Sequence, residues 1–292
     1  MSPIILCGSL SRLASLLGRS MHEAGYRALG LPYTYVPFEV RDVRGAIAGM
    51  RGLGIRGFGV SHPFKQEVMP LLDALDPVAA RIGAVNTIVN DDGRLVGHNT
   101  DWIGAVRALE DVRPVAGASV LLLGAGGAAR AIAFGLAQKG ARTTIANRDT
   151  AKADRLASEV GGSTRSAPFA ERERAADYDV VINATSLGQK DVGLASPVPS
   201  RALQARQSAR QSAGHIGQIV QIVMDIVYKP VATELLAEAR QAGAITVHGG
   251  RMLLYQAAAQ FEVYTGEKAP LEAMEAAQRA ALGAPLEPAP AP

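Results

Sequence analysis

The sequence predicts an α/β protein of two domains, the second built on a doubly wound parallel sheet. Three observations predict it. Strand-like apolar runs alternate with helical segments along most of the 292 residues, a length that suits one large domain or two of ordinary size. In the second half those runs are continuously apolar, the mark of strands covered by helices on both faces. Arg113-Pro114 interrupts the rhythm and reads as a boundary signal.

The elements follow in order. "PIILCG" (3–8) reads as a strand before a helix near 18–29, and "YTYVPF" (33–38) as a strand before a helix near 42–52. "IRGFGVS" (55–61) is a strand ending at Ser61-His62. Pro63 then opens a short helix, since proline suits the first helical position. Lys65 falls in its first turn, where the helix dipole disfavours a cation by roughly 0.3–1 kcal/mol. A lysine held against the local field asks for a function. "AVNTIVND" (84–91) and "RLVGHN" (94–99) form a hairpin turning at Asp92-Gly93. "DWIGAVRALEDV" (101–112) is a helix.

In the second half, "ASVLLLGAGGAARAIAFGLAQKG" (118–140) is a buried strand, a glycine turn and a long helix. "RTTIANRD" (142–149), "ADYDVVINATS" (176–186), "QIVMDIVY" (221–228) and "AITVHG" (244–249) are the further strands. The Gln/Ser/Arg-rich segment 203–214 is expected to be a mobile surface insertion, and "GAPLEPAPAP" a disordered tail by composition. The expected domains are 1–104, with the helices of 250–280 as candidates to fold back on it, and 105–249, followed by the tail 281–292.

Composition excludes several classes. Hydrophobic content of 48% and charged content of 20% describe an ordinary globular protein. The net charge of +3 is weak, and no basic stripe with interleaved aromatics marks a nucleic-acid partner. Cys7 is the single cysteine, so there is no disulfide framework or thiolate metal site, and it reads as a small buried hydrophobe. The five histidines, at 22, 62, 98, 215 and 248, show no ligand spacing. "MSPIILCGSL" lacks the basic segment of a signal peptide, and no apolar run approaches the roughly 18 residues of a membrane span. A cytoplasmic protein, monomer or homodimer, acting on a small molecule is expected.

The glycine turn is the first chemical signal. Gly124, Gly126 and Gly127, with Ala125 and Ala128 between and after them and Ala129 completing G-x-G-x-x-A, follow a strand and open a helix. Small residues there let backbone N–H groups approach a pyrophosphate; a tight turn without ligand fits the same glycines. About 20 positions on, NAD-binding units carry an acidic residue for the ribose. Here the strand ends in Asn147-Arg148, with Lys152 one turn further. A guanidinium suits a 2′-phosphate, so NADP is predicted over NAD. "NATSLG" (183–188), with Asn183, Thr185 and Ser186, lies at a strand's carboxyl end, where such a sheet places ligands; ordinary turn residues read the same way.

Three more polar stretches fall at strand ends: Lys65 after "GVSHPF", Asn86 in "GAVNT" and Asp101 in "HNTD". Singly they read as a solvated helix residue, a turn former and a carboxylate favoured at a helix N-terminus. Together, "VSHPFK", "GAVNT", "NTD", "GAGGAAR", "NR", "NATSLG", "DIVY" and "GGRMLLYQAA" resemble the shikimate dehydrogenase family in order and spacing, from about residue 8 to 268. "GIRGFGVSHPFK" with "VNTIVNDDGRL" is most similar to its divergent shikimate dehydrogenase-like branch.

The resemblance implies an NADP-dependent, reversible reduction of 3-dehydroshikimate to shikimate, with a Rossmann-type NADP-binding domain at 105–249 and a substrate-binding, catalytic domain at 1–104. It places the catalytic pair on Lys65 and Asp101, and substrate contacts on Ser61, Asn86, Tyr228 and Gln256. Gly249 falls near the nicotinamide, and Gly124, Ala125, Gly126, Gly127, Ala128, Asn147, Arg148, Lys152 and Thr185 on the cofactor. The chain also departs from the pattern. Counted back from His22, the family's two carboxylate-holding serines correspond to Leu16 and Gly18, although Ser9 and Ser11 lie upstream; an asparagine and a threonine before the lysine are Gly59 and Ser61. A quinate, aminoshikimate or other cyclic hydroxy-acid dehydrogenase therefore stands as an alternative, as does a non-catalytic dinucleotide-binding regulator. Chemically, hydride addition to a ketone creates an alkoxide, which an ammonium stabilises and protonates.

Overall fold

The structure, a computed structural model, describes residues 3–204 and 220–283. Most of the expected surface insertion and tail lie outside the described residues. Strands are β1 (Ile5–Ser11), β2 (Tyr33–Glu39), β3 (Gly57–Val60), β4 (Ala74–Leu75), β5 (Thr87–Asp91), β6 (Arg94–His98), β7 (Ser119–Leu123), β8 (Arg142–Asn147), β9 (Thr164–Pro168), β10 (Val180–Asn183), β11 (Ile222–Asp225) and β12 (Ile245–His248). Helices are α1 (Leu16–Ala28), α2 (Val43–Gly52), α3 (Pro77–Ile82), α4 (Asp101–Glu110), α5 (Gly127–Gln138), α6 (Thr150–Val160), α7 (Glu234–Gln241), α8 (Gly249–Thr265) and α9 (Leu271–Leu282). The described residues divide into two compact units, 3–104 with 253–283, and 105–204 with 220–252. The division falls inside α4 and α8, and not at Arg113-Pro114.

The first unit holds a mixed six-stranded sheet in the order β2-β1-β3-β5-β6-β4. β5 and β6 are joined by Asp92 (φ 49°) and Gly93 (φ 91°), both in the left-handed region that a two-residue hairpin turn demands. β3 shows how the sheet sorts its faces by the two-residue period. Phe58 and Val60 enter an apolar cluster with Val43, Ile47 and Met50 of α2. Gly57 and Gly59 face the other way, towards α8: a Cβ on Gly57 would lie 2.3 Å from the Tyr264 ring. The absent side chains let the helix sit directly on the strand.

Pro63 does not open a helix. Residues 62–68 run through turns into a single 3-10 turn at Met69–Leu71. The reason is tertiary. The Lys65 carbonyl, which a helix would offer to residue 69, accepts the Val85 N–H at 2.8 Å, and the Met69 N–H goes to Gln66 O at 3.2 Å. With no α-helix there, the dipole cost expected for Lys65 does not arise.

The second unit is a six-stranded, wholly parallel sheet in the order β12-β11-β10-β7-β8-β9. The order reverses between β7 and β10, the switch point where doubly wound sheets bind ligands. Val120, Leu121, Leu122 and Leu123 of β7 are fully buried, as expected of a strand covered on both faces. β9, unforeseen in the sequence, is an edge strand of mainly polar residues closed by Pro168, a residue the ladder tolerates only at edges.

Candidate active site

Lys65, Asn86, Asp101 and Gln256 come together in the first unit. Asp101 begins α4, where the helix dipole favours a carboxylate. Asn99 fixes the entry to that helix: its Oδ1 accepts the Asp101 N–H at 3.0 Å while its Nδ2 donates to Ala84 O at 3.0 Å. Asn86 stands immediately before β5, its carbonyl accepting the Val60 N–H at 2.7 Å and its N–H donating to His98 O at 3.0 Å. Backbone pairing thus clamps the residue on both sides.

The Lys65 Nζ donates to Asp101 Oδ2 at 2.7 Å, and the Asn86 Nδ2 donates to Asp101 Oδ1 at 2.9 Å. The Asn86 Oδ1 accepts the Thr100 N–H at 2.7 Å, which turns the amide nitrogen towards the carboxylate. Gln256 Oε1 lies 3.4 Å from the same nitrogen. The Lys65 side chain is 29% exposed and that of Asp101 11%, so the ammonium keeps one open flank. Bringing charges out of water is costly unless remaining polar atoms are satisfied. Here both carboxylate oxygens are.

Ser61, another expected substrate contact, shares no hydrogen bond with this cluster among the described residues. Ser61 is exposed just beyond β3, with its N–H on Leu10 O at 2.9 Å. Tyr228 and Gly249 belong to the second unit. Leu16 is 64% exposed at the start of α1, and Gly18 lies within the same first turn, where an added Cβ would meet Tyr35 Oη at 3.7 Å. Neither position offers a hydroxyl. The Ser11 hydroxyl is spent on Leu13 O at 2.8 Å.

In the second unit, Gly124 (φ 109°) follows β7 at the switch point, and a Cβ there would lie 2.7 Å from Ala184 O. Only glycine permits that approach. Side chains of Ser15, Asp42, Asp76, Asp149 and Thr233 cap α1, α2, α3, α6 and α7. α5 starts instead at Gly126 with no side-chain cap, and Cβ atoms on Gly126 or Gly127 would meet nothing within 4 Å. Its first N–H groups and positive dipole end therefore face open space that a phosphate fits. Asn147 Nδ2 donates to Asp149 O at 2.9 Å, and Lys152 Nζ lies 3.8 Å from Asp149 Oδ2. Arg148 is exposed at the tip of β8, and among the described residues no carboxylate lies within 4.0 Å of it. The residues present fit a 2′-phosphorylated dinucleotide.

Asn183 and Thr185 turn out to build their own loop. Asn183 Oδ1 accepts both the N–H and the hydroxyl of Thr185, at 3.0 and 2.7 Å, while Nδ2 reaches Leu187 O and Asp225 Oδ1. Asp225 is fully buried, and burial raises its carboxyl to about 6 despite bonds from Thr233, Val227 and Asn183. Sequence reading gave this aspartate no role, although it stands in "DIVY". It also passed over Thr87, Thr100 and Gln260. Gln260 had a usable signal: in "QAAAQ" it falls four residues after Gln256, on the same helix face.

Among the described residues no group of three or more His, Cys, Asp or Glu side chains could hold a metal ion, and no helix is long and apolar enough to cross a membrane. Sequence models described as "Shikimate dehydrogenase substrate binding domain", "Shikimate / quinate 5-dehydrogenase" and "Shikimate 5'-dehydrogenase C-terminal domain" match residues 14–88, 107–198 and 249–277. A shikimate dehydrogenase (NADP(+)) of Haloarcula marismortui is 44% identical over 262 residues, covering 88% of this chain and 92% of that one. A crystal structure of a shikimate dehydrogenase in complex with NADP+ is 35% identical, with a TM-score of 0.84 and 96% of each chain covered. A Thermus thermophilus shikimate 5-dehydrogenase, solved with NADP(H) and shikimate, is 33% identical with a TM-score of 0.82, covering 96% of this chain and all of the other.

Proposed function

The chain belongs to the shikimate dehydrogenase family, and on that premise we propose that it interconverts 3-dehydroshikimate and shikimate with NADP, using Lys65 and Asp101 as the acid–base pair. The observation that carries the reading is the 2.7 Å contact between the Lys65 ammonium and Asp101, a carboxylate held on its other oxygen by Asn86. NADP, when bound, carries the hydride. The chain's own residues do the rest.

Lys65 offers its open flank to the carbonyl oxygen, stabilises the charge that develops there and donates the proton. Asp101 aims the ammonium and offsets its charge; Asn86 and Gln256 orient the substrate beside it. The first unit serves as the substrate-binding and catalytic part, and the second as the NADP-binding part. There Gly124, Ala125, Gly126, Gly127 and Ala128 cradle the pyrophosphate at the start of α5, and Asn147, Arg148, Lys152, Thr185 and Gly249 line the remainder, with Arg148 on the 2′-phosphate. A cytoplasmic monomer or homodimer completes the reading.

Purified protein should oxidise shikimate with NADP+, followed by NADPH absorbance. Lys65→Ala should lower turnover by roughly a thousandfold with little change in NADP affinity, within the range general acid–base groups supply. Near-normal turnover of that variant removes the proton role from Lys65. One observation favours a second reading: Leu16 and Gly18 leave the substrate's carboxylate without the family's serine hydroxyls. Quinate, aminoshikimate and other cyclic hydroxy acids belong in the same assay, and a higher kcat/KM for one of them reassigns the substrate while retaining the mechanism.

A further inference from the structure

The acid–base pair is wired to a residue that no motif singled out. We propose that Gln260 is a positioning residue for this reaction: from α8 it supplies the hydrogen-bond donor that the bare Gly59 cannot, and so fixes the Asn86 amide that holds Asp101. The proposal rests on the roles given above to Lys65 and Asp101.

β3 and β5 run antiparallel, with Gly59 directly opposite Thr87. Side chains at such a pair meet on one face, their Cβ atoms about 4.5–5.5 Å apart. Residue 59 is therefore the natural cross-strand partner of the Thr87 hydroxyl, and it has no side chain. The Gln260 amide stands in that place. A Cβ built on Gly59 would lie 3.3 Å from Gln260 Nε2 and 3.1 Å from Tyr35 Oη.

From there, Gln260 Nε2 donates to Thr87 Oγ1 and to the Asn86 carbonyl, both at 3.0 Å. Having accepted that bond, the Thr87 hydroxyl gives its one proton to Asn86 Oδ1 at 2.8 Å. Together with the Thr100 N–H this holds Oδ1 from two sides and leaves Nδ2 facing Asp101. The donors thus run in one direction, Gln260 to Thr87 to Asn86 to Asp101, where the Lys65 ammonium arrives from the opposite side. Chains of this kind polarise each bond in turn. Thr87 has a competing partner in Thr100 Oγ1, 3.4 Å away, and the Gln260 donor biases it against that alternative. Gln260 is 5% exposed, so bulk water does not replace its amide.

Gln260→Met keeps the side-chain volume and removes the donor. We expect kcat to fall roughly tenfold to a hundredfold with the KM for NADP unchanged, and little further loss when it is combined with Lys65→Ala, because residues acting as a unit are not additive. Gly59→Asn in a Gln260→Ala background returns an amide from the strand and should bring kcat back to within about threefold of wild type. A folded Gln260→Met enzyme with wild-type kcat overturns the proposal, as does a double variant no faster than Gln260→Ala. The side-chain amide resonances of Asn86, read in the free protein, should shift in Gln260→Met, and unchanged resonances also overturn it. That readout needs no turnover, so a wild-type protein silent with shikimate counts against the proposed function and leaves this inference to the resonances.

Discussion

Asp225 and His22 are the two buried residues whose titration folding alters most usefully. Burial raises Asp225 to about 6 from an ordinary value near 3.9. Between those values the native state binds more protons than the unfolded chain, so this group's contribution to stability falls as pH rises from about 4 to about 6 and is flat above. Two units correspond to roughly 3 kcal/mol. His22 works in the opposite sense. Its ring stacks 4.4 Å from Tyr35, and burial lowers it to about 4, so its contribution is present above about 6.5 and is lost as pH falls towards 4. A simple acid titration mixes the two. The stability difference between Asp225→Asn and wild type isolates the first: urea unfolding should show the variant gaining on wild type as pH rises through that window, and a difference independent of pH would refute the assignment. Arg148→Ala should weaken NADP binding by at least tenfold and NAD binding far less, a charge-assisted bond to phosphate being lost. Equal losses in titrations with both cofactors would refute the 2′-phosphate role.

At the scale of elements, glycines in β3 decide how α8 meets the sheet. Gly57→Ala drives a Cβ into the Tyr264 ring at 2.3 Å, and overpacking of that kind should cost roughly 1–3 kcal/mol in denaturant unfolding. Unchanged stability would mean that the ring moves freely. The long apolar strands were legible in the sequence because burial on both faces writes itself as unbroken Val, Leu and Ile. The hairpin was legible because Asp92-Gly93 states its turn. β9 was not, since an edge strand reading "TRSAP" has no apolar pattern to show. The stretch after Pro63 was misread because the Lys65 carbonyl is claimed by Val85, twenty residues on, which no local pattern records. Of the site, Lys65, Asn86, Asp101 and Gln256 could be named from motifs, whereas Gln260 acquires its role from a side chain missing on a neighbouring strand.

For the molecule as a whole, a cofactor that binds the native second unit, as proposed above, should stabilise it by mass action. At about a hundredfold excess over Kd the gain is roughly 2.7 kcal/mol. NADP+ should therefore raise the thermal transition of wild type at concentrations where Arg148→Ala responds weakly. A variant stabilised as strongly as wild type would place the cofactor's charge elsewhere. The division of the chain was only partly legible: the switch point follows from strand and glycine order, but the break between Gly104 and Ala105 lies within the continuous helix α4 and not at the Arg113-Pro114 signal.

The half-sheltered Lys65 has one last consequence. Among the described residues, the groups linked to it are a carboxylate whose two oxygens are already occupied and amides that hold their hydrogens at neutral pH, so none of these can hand the nitrogen a replacement hydrogen ion after each reduction. Resupply comes from the solvent it touches, which ties recovery between turnovers to the wetting of that single face.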